Sequence, residues 1–229
     1  MMEEKKHPIV SLLLLLLILG TCTWVFVSIA KDFEAAHIRQ FDYSIIQYVQ
    51  GFISEPITNL VLKITFLGSS IGIAIITFVF SLILVLFRKY LFGIYLLMSV
   101  AVGYVGLNTV LKHIFQRERP SILRLVEEHG FSFPSGHSMG TMVLFGTLLL
   151  ILFKLSKSAS VRVIGVIAAL SIILIIGLTR VYLGVHYPTD IVGGYTAGIV
   201  WLTISVVMFN QIEKRTQKQD KLLFVNNRY

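Results

Sequence analysis

The chain has 229 residues, 55% of them apolar and 14% charged, with a formal net charge of +8. Soluble domains carry about 25% charged residues, so an ordinary soluble enzyme fits poorly, and disorder, collagen, coiled coil and a disulfide scaffold are excluded. The single cysteine, Cys22, leaves no intramolecular disulfide to form.

The apolar residues gather in six long blocks, near 8–30, 66–87, 90–111, 137–153, 162–180 and 190–209. A bilayer core takes roughly 20 residues of helix to cross. Backbone in lipid must also satisfy its own hydrogen bonds. The pattern therefore predicts an all-α integral membrane protein, six transmembrane helices forming one domain over 1–229. Ser28-Ile29-Ala30 resembles a signal-peptide cleavage site, but the first block is longer than the usual apolar region of roughly 7–15 residues, so it reads as a retained span. Residues 31–56 form an outer segment, in which Ile45, Ile46, Val49 and Phe52 suit either an interfacial helix or a plain connecting loop.

Orientation follows from Lys and Arg. With the N-terminus inside, twelve of the 20 basic residues fall on the inner side: Lys5, Lys6, Arg88, Lys89, Lys154, Lys157, Arg162, Lys214, Arg215, Lys218, Lys221 and Arg228. The expectation is a multi-pass plasma-membrane protein with cytoplasmic termini and a basic cytoplasmic tail at 210–229. Positive charge on both faces argues against a nucleic-acid partner.

Three polar clusters interrupt the apolar pattern. The first is Lys112, six residues, then Arg119-Pro120. In a continuous helix Lys112 and Arg119 project to nearly one side, with Asn108 one turn before Lys112. Pro120 argues for a helix end close by. The second is Pro134-Ser135-Gly136-His137, opening the fourth helix. Ser135 is a good N-cap, Gly136 lets a ligand approach the backbone, and the Gly136 and His137 amides would face an anion. The third is Thr179-Arg180, five residues, His186, three residues, Asp190. Asp190 suits the second ring N–H of His186, and Pro188 suits a first helical turn.

Each piece has a plain structural explanation: a lone cation snorkels to head groups, and a lone Pro-Ser-Gly starts a helix. Together they put three cations, two histidines and a carboxylate at one membrane boundary, where ionisable groups are costly and functional. His7, His37, His113 and His129 lack such company and read as structural or solvated. Glu118, Glu127 and Glu128 read as loop-solvating or substrate-gate residues, and Gly194-x-x-x-Gly198 as close helix packing. No carboxylate/His set is spaced for a metal.

The three clusters, in this order across 112–190, resemble the signature motifs of the type 2 phosphatidic acid phosphatase (PAP2) superfamily. One departure is Thr179, where the family commonly has Ser; the hydroxyl is kept, so a phosphate contact stays open to it. The resemblance implies a PAP2/chloroperoxidase-like helical bundle and a lipid phosphate substrate held without metal or other cofactor. It implies that Lys112, Arg119, Ser135, Gly136 and Arg180 bind the phosphate. His186 would be the nucleophile, His137 the general acid and base, and Asp190 the residue that orients His186. Asp190 favours a cationic His186 while three nearby cations oppose it, and that conflict predicts a bell-shaped pH profile. The chain's size and bareness liken it to the small bacterial members that hydrolyse phosphatidylglycerophosphate. Undecaprenyl diphosphate is the second candidate substrate, and transfer of the phosphoryl group to another acceptor is the alternative reaction. A transporter with an anion pocket fits less well, because transporter sites sit near the midplane between repeats. Oligomeric state leaves no trace in the sequence.

Overall fold

The computed structural model describes residues 8–226. Lys5, Lys6, His7 and Arg228 lie outside the described residues. The described chain is helical: α1 (Pro8–Asp32), α2 (Ala36–Gln50), α3 (Glu55–Thr65), α4 (Ser70–Leu86), α5 (Tyr90–Val100), α6 (Asn108–Phe115), α7 (Gly136–Leu155), α8 (Ala159–Tyr182) and α9 (Pro188–Asn226). Five spans within it are long and apolar enough to cross a membrane: Leu12–Asp32, Tyr90–Phe115, Gly136–Leu155, Ala159–Tyr182 and Pro188–Lys218. A sixth arises if Glu55–Gly68 and Ser70–Leu86, bent by 53°, form one span.

The bend marks a difference from the expected second block. At 17 residues, α4 is about 26 Å long, short of a bilayer core of about 30 Å. Ser69 leaves helical geometry at φ −69° and ψ 160°. Its hydroxyl accepts from Gly72 N and so caps α4. If the two helices form one span, α3, which the apolar pattern did not disclose, supplies the missing length.

Residues 31–56 do contain a helix, α2, but its apolar stripe docks on protein. Ile46 is buried against Val181 of α8 and Ile191 of α9, with Ile45 and Val49 beside it. Phe41, Tyr48 and Phe52 stay exposed. Asp42, also fully buried, shares the docked face.

Between α5 and α6 the helix widens into a π-helical stretch, Ala101–Leu107. The cause is visible in packing. A Cβ on Gly103 would lie 2.2 Å from Trp201 Cδ1, so only glycine admits that indole. Trp201 Nε1 then donates to Ser99 O at 2.9 Å, taking an acceptor from the helical ladder. Such insertions expand a helix locally and re-aim the residues that follow, often at functional sites. The residues that follow are Tyr104, Asn108 and Lys112.

At the centre lies α7, packed on α8, α9, α5 and α4. Its Met139, Val143 and Leu144 are fully buried. Three polar connections meet at the end of the bundle where α7 and α9 begin and α6 and α8 finish.

Candidate active site

At that end a cavity of ≈ 380 Å³ opens. Lys112, Arg119, Gly136, His137 and His186 line it, together with Asn108, Glu128 and Tyr104. The expected single-helix face for Lys112 and Arg119 is not what joins them. The helix ends at Phe115, Gln116 turns left-handed at φ 46°, and Arg119 reaches the cavity from a loop. Asn108 is buried, and its amide donates to Pro134 O at 3.4 Å, tying α6 to the turn that starts α7.

Ser135 is the N-cap of α7: its hydroxyl accepts from Ser138 N at 3.4 Å. It is fully buried beneath the cavity rather than on its wall. Its own amide donates to Asp190 O at 3.0 Å, so the starts of α7 and α9 are joined through backbone. Phe133, also fully buried, is packed by Phe26, Phe33 and Phe115, which anchors this turn against α1 and α6.

His186 precedes α9 and is 1% exposed. Its Nδ1 lies 3.3 Å from Asp190 Oδ2, and its Nε2 lies 3.2 Å from Arg119 Nη1. A carboxylate on one side and a guanidinium on the other assign the ring proton to Nδ1 and the lone pair to Nε2. Burial, then Arg119, Lys112 and Arg180, hold the imidazole pKa well below 6.5. Together they disfavour the cationic ring.

Arg180, 3% exposed, donates from Nη1 to Thr65 Oγ at 3.0 Å and pairs through Nη2 with Glu128. Its Nε is buried without a partner. Glu128 also lies 3.5 Å from Arg119, so this carboxylate stands between two cations at the cavity. Glu118 and Glu127 are exposed. Thr179 is not free to meet a ligand as its hydroxyl had allowed: it donates to Ile176 O at 2.6 Å and faces Thr65 at 3.1 Å. His129 lines the cavity mouth, although it was read as structural or solvated. Among the described residues, no three His, Cys, Asp or Glu side chains cluster as a metal would require.

Sequence reasoning missed three residues that hold Asp190, and a second carboxylate, Asp42, behind one of them. Ser132 Oγ donates to Asp190 Oδ2, and Tyr187 N donates to the same oxygen at 2.9 Å. Arg117 Nη1 donates to Asp190 Oδ1 at 2.7 Å, and its Nη2 to Asp42 Oδ2 at 2.9 Å. Asp42 Oδ1 accepts from Thr189 N at 2.9 Å, and Asp42 Oδ2 from Thr189 Oγ at 2.7 Å. Burial pushes the Asp42 carboxyl above the usual carboxylate range, and the bonds from Thr189 and Arg117 pull it back. One signal for Asp42 was present: it sits three, four and seven residues before Ile45, Ile46 and Val49, a carboxylate within the apolar stripe of a helix.

The sequence pattern of the PAP2 superfamily matches residues 91–214. The chain is 34% identical over 175 residues to phosphatidylglycerophosphatase B of Bacillus subtilis, covering 74% of this chain and 81% of that protein. It is 29% identical over 145 residues to undecaprenyl-diphosphatase of Sulfolobus acidocaldarius, covering 60% of this chain and 66% of that one. Its fold is similar to the crystal structure of a transmembrane PAP2-type phosphatidylglycerolphosphate phosphatase from Bacillus subtilis, with TM-score 0.79, 27% identity, and coverage of 85% of this chain and 96% of that one. The chain is a multi-pass membrane protein.

Proposed function

The chain belongs to the PAP2 superfamily, and we propose that it is a membrane lipid phosphatase whose first substrate is phosphatidylglycerophosphate. The products are phosphatidylglycerol and phosphate. The observation that carries this reading is His186: buried, neutral, held by Asp190 at Nδ1, with Nε2 at a cavity beside Arg119. Such a ring is a competent nucleophile.

In this reading Nε2 attacks phosphorus in line and the bond to the glycerol oxygen breaks. Protonated His137 gives its proton to that leaving oxygen. The phosphorylated ring carries positive charge, which Asp190 offsets through the Nδ1 proton. Neutral His137 then takes a proton from the water that cleaves the phosphorus–nitrogen bond, releasing phosphate and restoring His186. Lys112, Arg119 and Arg180 gather the phosphoryl oxygens, and the Gly136 and His137 amides at the α7 start add backbone hydrogen bonds, while Ser135 holds that start in place as its cap. The buried, unpaired Nε of Arg180 is one donor left for an anion. The Glu128 carboxylate occupies the space between Arg180 and Arg119 that the phosphate needs, so it swings aside as substrate enters. Every step uses groups already on the chain and none needs a metal.

Undecaprenyl diphosphate is the second reading, and the likeness to an undecaprenyl-diphosphatase supports it. Both lipids bring a phosphate to the interface beneath a long apolar tail. Cytoplasmic termini and a site at the outer face follow from the Lys and Arg count. The test is phosphate release by detergent-purified protein in EDTA from phosphatidylglycerophosphate, undecaprenyl diphosphate and a soluble sugar phosphate. Release from a lipid that vanishes in His186→Ala is the expected result, and the ratio of lipid rates ranks the substrates. No release from folded wild-type protein overturns the reading.

A further inference from the structure

Arg117 bears one positive charge and contacts two buried carboxylates, those of Asp190 and Asp42. If Asp190 were its only partner, the ion pair would be neutral and His186 would face little net charge. Asp42 adds a second negative charge, so the buried trio keeps one net negative charge beside the imidazole. The trio is fixed in place. The Arg117 guanidinium carbon lies 4.0 Å from the Tyr187 ring centroid and 5.1 Å from that of Phe33. Thr189 Oγ accepts from Arg117 at 2.8 Å while donating to Asp42. Asp42 also accepts the Thr189 amide in the first turn of α9, satisfying a helix N-terminal donor one residue before Asp190.

We propose that Asp42, contributed by the outer helix α2, is a positioning residue of the reaction: it takes up the charge of Arg117 and caps α9, leaving the charge and aim of Asp190 to His186. The inference rests on the phosphohistidine reading. When Nε2 bonds phosphorus, the ring becomes cationic, and the net charge of the trio decides how well that cation is stabilised. Asp42 touches neither the substrate nor the reacting atoms.

Asp42→Asn is close to isosteric, and Arg117 keeps Asp190 as a partner, so no cation is left unpaired. Its kcat on phosphatidylglycerophosphate should fall about 10–100-fold, the range seen when a residue behind a functional ligand is changed. KM, inhibition by inorganic phosphate and the thermal midpoint in detergent should stay near wild type. The charge argument also makes a reversal: Asp42→Asn combined with Arg117→Gln returns the full charge of Asp190 to His186, so the double variant should be about fivefold faster than Asp42→Asn alone. A purely structural role predicts the opposite order. A kcat for Asp42→Asn within about threefold of wild type, or a double variant no faster than the single, overturns the inference. If Asp42→Asn does not fold, the double variant decides alone, because it removes a balanced pair: kcat within about twentyfold of wild type supports the inference, and a larger loss overturns it. Wild-type protein inactive on every lipid would overturn the phosphatase reading and this inference together, whereas an unaffected Asp42→Asn beside active wild type overturns this inference only.

Discussion

Gly194 sits where the α7 and α9 sides of the candidate site meet. It is on α9, one turn after Asp190, and faces the start of α7. A Cβ added there would lie 2.8 Å from Ser135 O, 2.9 Å from Ser138 Cβ and 3.0 Å from Met139 N. Two of these three are backbone atoms that no rotamer change can move. Ordinary contact begins near 3.4 Å, so Gly194→Ala must part α7 from α9 by about 0.6 Å. Overpacking of this kind costs about 1–3 kcal/mol, which corresponds to a fall of about 2–12 °C in the unfolding midpoint of a chain this size. Activity should suffer more than stability. His137 rides on α7 and Asp190 on α9, and a misplacement of 1 Å costs about 10²-fold in rate, so 0.6 Å predicts a kcat roughly tenfold lower. Gly198→Ala is the control. It meets Met142 Cγ at 2.7 Å and Cβ at 2.9 Å, a similar overlap one turn farther from the site, so it should lower stability comparably with a smaller loss of kcat. Phosphate release and thermal melts in detergent, measured on both variants, separate the two effects. Wild-type kcat in Gly194→Ala, or an equal kcat loss in Gly198→Ala, would refute the reasoning.

Trp201→Phe removes the indole bond to Ser99 O, worth about 0.5–1.5 kcal/mol. Because the π-helical stretch aims Lys112, the variant should also raise KM for the lipid, which steady-state kinetics will show. Glu128→Gln removes a carboxylate from between Arg180 and Arg119. Inorganic phosphate should then inhibit about tenfold more strongly, the equivalent of about 1.4 kcal/mol, in a competition assay. His186 stays unprotonated in the folded protein, while the same ring in the unfolded chain takes up a proton near 6.5. The stability it contributes is therefore intact above pH 6.5 and is lost as pH falls from there toward its depressed folded value. Thermal midpoints between pH 7.5 and 5 should drop more in wild type than in His186→Gln.

Much of the site was legible because its chemistry is local in sequence. Pro134-Ser135-Gly136-His137 declares a capped helix start, and a His four residues before an Asp at a Pro-initiated helix declares an oriented imidazole. The structure keeps both arrangements. The bent span was illegible because Ser69 acts by leaving the helix, and hydropathy does not record a change of direction. The helical face drawn through Lys112 and Arg119 was wrong about the path, since Gln116 ends the helix, yet both reach the same cavity. Arg117 was counted as one more outer cation. Nothing within the segment from Lys112 to Pro120 discloses its role, because its partners lie 75 and 73 residues away, at Asp42 and Asp190.

The separation of those two arginines states how the site works. Arg119 faces the cavity and contacts Gly130 O, Val185 O and His186 Nε2. Arg117, two residues earlier, points the other way and holds the far oxygen of Asp190. Extended backbone alternates its side chains, so residues two apart share a side; the irregular loop from Gln116 to Pro120 breaks that rule and sends the two guanidiniums to opposite sides of one histidine. In the proposed reaction one cation serves the arriving phosphate and the other the resident carboxylate of Asp190. A regular strand through this segment would place both on one side, and the irregular path that begins at Gln116 is what parts them.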